Sequence, residues 1–202
     1  SLLQQLEDEV NDDKSESDLT EKVEQINTVT NLINQVTDLS ARLEKVRSAS
    51  FTKNTESWTK NNVILTLNID GDTEELGVIY AFFKKVSDEL TAIASTGTSI
   101  SVGENGVYVV QLSLDGELVH TLEAEVTNID KVKPQFNYAS TTHFNDTVSI
   151  VIDEANLDRV VVYNQDTNKK TTYRVNTFEL SNEATYKITA YDKAGNSDYI
   201  LL

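Results

Sequence analysis

The sequence predicts a mainly β protein, two tandem β-sandwiches carried behind an N-terminal α-helical segment. Three observations predict it. Apolar residues recur at helical spacing only as far as about residue 48. Beyond that point the apolar runs are short, often alternating, and divided by turn residues rather than by regularly interposed helices. The only proline, Pro134, stands between two such sets of runs. Proline and the residue before it favour extended backbone, which suits a short linker. The expected division is a helical segment over 1–50, a first sandwich over 51–131 and a second over 132–202.

Within the helical segment, Leu3, Leu6 and Val10 keep helical spacing, and the acidic stretch 11–18 then interrupts the apolar pattern. Asp18-Leu-Thr-Glu21 fits a capping box, so a second helix is expected to start there. Leu19, Ile26 and Ile33 fall seven apart, as do Val29, Val36 and Leu43, which gives the a and d positions of a heptad. Leu32, Leu39 and Val46 occupy the adjacent g position and broaden the stripe. A stripe this wide needs more cover than a two-stranded coil supplies. Two arrangements provide it, and the sequence leaves both open. One is a self-associating coiled coil through residues 19–46, favouring three chains. The other is a helical hairpin in which 1–10 folds back. Lys22, Ser40 and Arg47 on the seam weaken the coiled coil.

After Ser50 the strands are expected at 63–69, 77–83, 107–114 and 119–129, with turns at Asp70-Gly-Asp72, Gly103–Gly106 and Asp115-Gly116. A helix remains possible over Val86–Ala94. The second half repeats the texture with runs at 147–152, 159–163, 171–175 and 185–191. Setting Tyr108 against Tyr186 brings Asp115-Gly116 beside Asp192–Gly195, as an internal duplication would. A tyrosine ahead of such a run can bury its ring while its hydroxyl bonds backbone. Trp58 reads as a core or edge-covering residue.

Three stretches resemble the bacterial immunoglobulin-like domains that occur in tandem on secreted and wall-attached proteins. Ser57-Trp-Thr-Lys-Asn-Asn-Val-Ile-Leu-Thr-Leu67 is similar to their opening strand. Asn105-Gly-Val-Tyr108 and Ala184-Thr-Tyr186 resemble the entry to a late strand, the latter leading into Tyr191-Asp-Lys-Ala-Gly-Asn196. Asn128-Ile-Asp-Lys-Val-Lys-Pro134 resembles the junction joining one repeat to the next. The first half lacks the Asp-x-Ala-Gly-Asn turn, and the second lacks a tryptophan opening. The resemblance implies an immunoglobulin-like fold for both sandwiches and an extracellular, cell-surface or cell-wall setting. Some wall-anchored relatives carry lysine–asparagine isopeptide links, for which Lys60 and Asn128 are the pair to consider.

Charge and composition narrow the function. The chain holds 17 basic against 33 acidic residues, a formal net charge of -16. That field repels phosphate backbones, so no nucleic-acid partner is expected. No run of about 18 apolar residues is present, so no membrane insertion is expected. Cysteine is absent, which removes thiol nucleophiles and zinc-thiolate sites. His120 and His143 fall in different sandwiches with no motif linking them. No G-x-S-x-G, P-loop, G-x-G-x-x-G or H-E-x-x-H motif is present. The adjacent acids Glu74-Glu75, Asp88-Glu89 and Asp153-Glu154 point to opposite faces if they lie in strands, so adjacency is no sign of convergence. The chain is expected not to be an enzyme.

Calcium is the one ion the sequence raises. Asp70 and Asp72, and Asp130 at the junction near Asp192, offer hard oxygen ligands. The Asp-x-Asp-x-Glu run at 70–74 lacks the twelfth-position glutamate of an EF-hand, since residue 81 is alanine. Against the calcium reading stands an ordinary acidic turn. Three functions are therefore expected to compete. The first is a structural or adhesive segment of a bacterial cell-surface or secreted protein. The second is a phage tail or baseplate fibre with a trimerising stalk. The third is a carbohydrate-binding or accessory module of a secreted enzyme, with glycan contact through aromatics such as Tyr163 or Tyr173. A protein or glycan ligand fits all three.

Overall fold

The computed structural model describes residues 13–138, 147–181 and 183–202. Among the described residues, one helix, α1 (Asp13–Arg47), precedes fourteen strands. The first seven are β1 (Ser50–Lys53), β2 (Val63–Asn68), β3 (Val78–Val86), β4 (Glu89–Ile93), β5 (Ser99–Val102), β6 (Gly106–Leu114) and β7 (Glu117–Val126). The rest are β8 (Gln135–Tyr138), β9 (Val148–Asp153), β10 (Leu157–Asn164), β11 (Lys169–Tyr173), β12 (Thr177–Leu180), β13 (Tyr186–Asp192) and β14 (Ser197–Leu201). They form four antiparallel sheets, and the fold is mainly β as the sequence predicts.

The sheets come in two matched pairs. A three-stranded sheet ordered β1-β2-β5 accompanies a four-stranded one ordered β4-β3-β6-β7. The second half has β8-β9-β12 and β11-β10-β13-β14, which is the same order advanced by seven strands. Tyr108 and Tyr186 lie on the equivalent strands β6 and β13, both buried. The Tyr108 hydroxyl donates to the Glu104 carbonyl at 2.8 Å, four residues upstream.

Alternation explains which faces meet. In β9 the residues Val148, Ile150 and Ile152 are buried while their neighbours are exposed. They join Val160 and Val162 of β10, Phe178 and Leu180 of β12, and Tyr186, Ile188 and Ala190 of β13 in one core between the two sheets. In the first half Val63, Leu65 and Leu67 of β2 point inward in the same way. Phe51 of β1 reaches Phe82 of β3 with ring centroids 5.7 Å apart, so these two sheets also pack face to face.

Two expectations are corrected. The stretch 86–94 is a β-hairpin, not a helix: Val86 pairs with Glu89 across Ser87-Asp88, and Ser87 takes a left-handed φ of 57°. That turn lets β4 run back along β3, where ladder hydrogen bonds outweigh a weak helical preference. The acidic stretch before Leu19 is no break either. Helix α1 already runs through Asp13–Asp18, so those six residues are helical where an interruption was expected. No glycine or proline interrupts 13–47, and Asp18 pairs with Lys22 one turn on, at 2.8 Å, instead of capping a helix start. The apolar spacing at Leu3, Leu6 and Val10 lies outside the described residues.

The chain divides into two compact units. One holds the helix together with Ile69–Ile79 and Leu112–His120. Its last turns are covered: Val46 is fully buried, with Ala49, Leu76 and Val78 also buried. Arg42 ties this unit together, its Nε donating to the Leu76 carbonyl at 2.8 Å and its Nη2 to Asp115 Oδ1 at 3.1 Å. The other unit holds Ser50–Asn68, Tyr80–Gln111 and Thr121–Leu202, the segment 128–134 included.

Gly77 has a φ of 66°, and a Cβ there would stand 2.7 Å from Arg42 Nη2. Gly77→Ala is therefore expected to cost about 1–2 kcal/mol from the left-handed backbone, with a further loss as Arg42 is displaced. Urea denaturation with an unchanged m-value checks this.

Candidate metal centre at the junction

Polar side chains hold the segment that leaves the first half. Asn105 grips Ile129 from both sides, its Nδ2 donating to the carbonyl at 2.8 Å and its Oδ1 accepting from the amide at 2.9 Å. Asn128 is buried and donates to the carbonyls of Thr55 and Ser57. Thr59 and Ile129 form a parallel bridge, with Thr59 N donating to Asn128 O and Asp130 N to Thr59 O. These contacts place Asp130 at the start of the linker. Pro134, buried at the linker's end, leads directly into β8.

Two loops of the second half close on Asp130. Asn156 Nδ2 donates to Asp130 Oδ2 at 3.1 Å, and Asn196 Nδ2 donates to the Asp130 carbonyl at 2.9 Å. Asn196 also donates its backbone and side-chain N–H groups to the two oxygens of buried Asp192, both at 2.7 Å. Lys193 N bonds the Asn156 carbonyl, linking the two loops, and Lys60 Nζ reaches the Gly195 carbonyl at 3.0 Å.

The result is a convergence of three carboxylates. One oxygen each from Asp130, Glu154 and Asp192 lies within 4.8 Å of the others. Burial pushes the Glu154 carboxyl above its ordinary range; the Asn156 N–H on its Oε1 opposes this, while Asp130, Asp192 and Asp153 add to the rise. Hard oxygens at this spacing are the ligand type that calcium takes, although three carboxylates are fewer than its six to eight ligands. Backbone carbonyls and solvent would have to complete the shell.

Of the residues read from the sequence, Asp130 and Asp192 are brought together as the junction reading expected. Glu154 is the member that reading missed. It follows β9 instead of lying within it, so the opposite-face rule for strand neighbours does not govern the Asp153-Glu154 pair. The signal available was Glu154-Ala-Asn156, a turn in which the glutamate accepts from the amide two residues on. Asp70 and Asp72 belong to the loop packed with the helix and, among the described residues, join no third carboxylate at ligand spacing. Asp72 Oδ1 instead accepts from the amides of Glu74 and Glu75.

Other expected groups are committed elsewhere. Lys60 and Asn128, the pair considered for an isopeptide link, bond separate backbone carbonyls. Tyr173 stacks on Phe178 with ring centroids 4.5 Å apart, and the Tyr163 hydroxyl donates to Asn168 Oδ1. Trp58 and His120 are half-buried, and His143 lies outside the described residues. No protein-family model matches the chain, and no curated protein matches it at a significant level.

A raised folded-state pKa gives stability that is full below the unfolded value and lost as pH rises through the folded one. In chelator, Glu154→Gln is therefore expected to melt above the wild type at pH 7, with the gap closing towards pH 4. In calcium the order changes if the carboxylates hold the ion. At about 10 mM calcium and a dissociation constant of about 1 mM, the wild type gains about 1.4 kcal/mol and the variant less. Differential scanning calorimetry reads both, and an unchanged wild-type melting temperature in calcium removes the ion.

Proposed function

We propose that the chain is a non-enzymatic structural or adhesive segment of a bacterial cell-surface or secreted protein, with two immunoglobulin-like modules serving as spacers and ligand-presenting domains. The observation that carries this reading is the junction. A spacer transmits position only if successive modules hold a fixed relation. Here Asn156, Asn196 and Lys60 bridge the halves through hydrogen bonds to Asp130 and Gly195. The recurrence of one seven-strand order in both halves supports the immunoglobulin-like reading. A protein or glycan ligand, and a cell-wall setting, belong to the same proposal.

The exposed helix favours a second reading, a phage tail or baseplate fibre whose stalk trimerises. Leu19, Val23, Ile26, Val29, Leu32, Ile33, Val36 and Leu39 are each between 43% and 63% exposed. Isolated apolar side chains on a surface are ordinary, but a continuous stripe five turns long is a cover site. In the heptad, the e positions beside the seam are Val23, Thr30, Thr37 and Glu44, and the g positions from 25 to 46 are Gln25, Leu32, Leu39 and Val46. Only Glu44 among them is charged, so the flanks add little repulsion between like chains, and the opposing like charges are Lys22 and Arg47 on the seam itself.

Two measurements test the readings separately. Asn196→Ala leaves buried Asp192 without its side-chain donor and cuts the bond to Asp130. It should cost about 1–3 kcal/mol and loosen the two modules, seen as diverging 15N rotational correlation times. Unchanged correlation times would remove the fixed-spacer argument. Light scattering should give a trimer that Ile26→Asp with Ile33→Asp converts to monomer while the strand circular dichroism persists. A wild-type monomer at high micromolar concentration removes the fibre.

A further inference from the structure

A pocket of about 550 Å³ opens beside the junction, on the first module. That volume lies inside the range of small-molecule sites, about 300–1,000 Å³. Its wall combines the residue before β2, strands β3, β4, β5 and β6 and the β5–β6 turn with Lys131 of the linker. Since Asn105 fixes Ile129, the lysine two residues on is delivered to the pocket by the same peg that positions Asp130.

The polar groups are internally ordered and incompletely used. Lys131 Nζ donates to Asn62 Oδ1 at 2.9 Å, and Asn62 Nδ2 donates to Ser101 Oγ at 3.2 Å. Lys84 Nζ pairs with Glu104 Oε2 at 2.5 Å. Each ammonium carries three N–H donors, and each spends one in these bonds. Lys131 makes no ion pair among the described residues. Buried Val102 supplies an apolar floor.

Charge selects the ligand. Two ammoniums against the single carboxylate of Glu104 leave one net positive charge, in a chain whose total is -16. A monoanion balances that charge. A phosphate or a polyanion brings more negative charge than the pocket neutralises, into a field that already repels it. Beside the apolar Val102 and Ile93, the wall offers amide, hydroxyl and carboxylate groups, so one face of a ligand meets apolar atoms while its edges meet donors and acceptors. Tyr108 lines the pocket but is only 3% exposed, so no open aromatic face favours a flat apolar ring. Many hydroxyls around one carboxylate meet these conditions.

We propose that this pocket binds a carboxylated sugar of the hexuronic acid type, its carboxylate between Lys84 and Lys131 and its hydroxyls on Asn62, Ser101 and Glu104. The proposal rests on the ligand-presenting reading of the modules and gives that ligand a chemical class.

The probe is D-glucuronate, titrated at physiological salt while 15N amide shifts are followed, with D-glucose and inorganic phosphate as controls. Glucuronate should move the amides of Asn62, Ser101, Gly103 and Lys131, and the two controls should not. Lys131→Ala should weaken binding about fivefold, the worth of one partly exposed charge contact, and Lys131→Arg should restore most of it. Gly103→Ala gives a second reading, because its Cβ would stand 3.0 Å from Lys131 Nζ and 3.1 Å from Asn62 Oδ1; it should also weaken binding. Silence to about 10 mM glucuronate, an equal response to glucose or phosphate, or full affinity in Lys131→Ala overturns the site. Those outcomes leave the junction and the spacer reading untouched, because correlation times measure them independently.

Discussion

Three residues, Asn128–Asp130, are the point on which the larger unit depends. An extended segment leaving a sheet edge has unpaired amide and carbonyl groups, and burying them costs free energy unless each finds a partner. Asn105 supplies both partners to Ile129 by using its side-chain amide as a surrogate strand. The Thr59 backbone supplies partners on either side. The segment thus has one position. Asp130 then becomes a fixed acceptor for Asn156 and Asn196, and Lys131 a fixed donor for Asn62. The junction, the carboxylate cluster and the pocket share this origin.

The carboxylates at that junction show how satisfaction and repulsion coexist. Asp192 is buried yet fully engaged by Asn196, so its charge is stabilised by short donor contacts. Glu154 receives one backbone donor and faces three acids, and the balance falls the other way. Burial first, and the neighbouring acids after it, raise the Glu154 carboxyl above its ordinary range.

Legibility in the sequence followed the number of inward residues a segment carries. Strands such as β2, β6, β9 and β13 bury three or more side chains each, and their alternation stands out. β1, β8 and β12 have four residues and β5 only Ser99–Val102; each turns at most two side chains to a core, too few for a period to be counted. β4 offered Leu90 and Ile93 at a helical spacing of three, so only the Ser87 turn and the partner strand decide it. The non-strand segment that ends just before β8 was legible through one proline, Pro134. Glu154 was not, because its role depends on a loop meeting residues 24 and 38 positions away.

Helix α1 illustrates the same rule from the opposite side. Its heptads are the strongest periodic signal in the chain, yet only the last turns find cover, around Val46 and Ala49. Intrinsic propensity holds a 35-residue helix weakly in water, and four threonines, Thr20, Thr28, Thr30 and Thr37, spend their hydroxyls on carbonyls one turn back. Such a helix gains most of its stability by burying its face. Eight apolar residues between 19 and 39 are at least 43% exposed, so the face lies uncovered along most of the helix. From residue 19 to 46 Glu44 is the one charge beside the seam, while Lys22 stands in the seam itself. Flanks with so little charge do little to discriminate against like copies, which is the property the proposed trimeric stalk depends on.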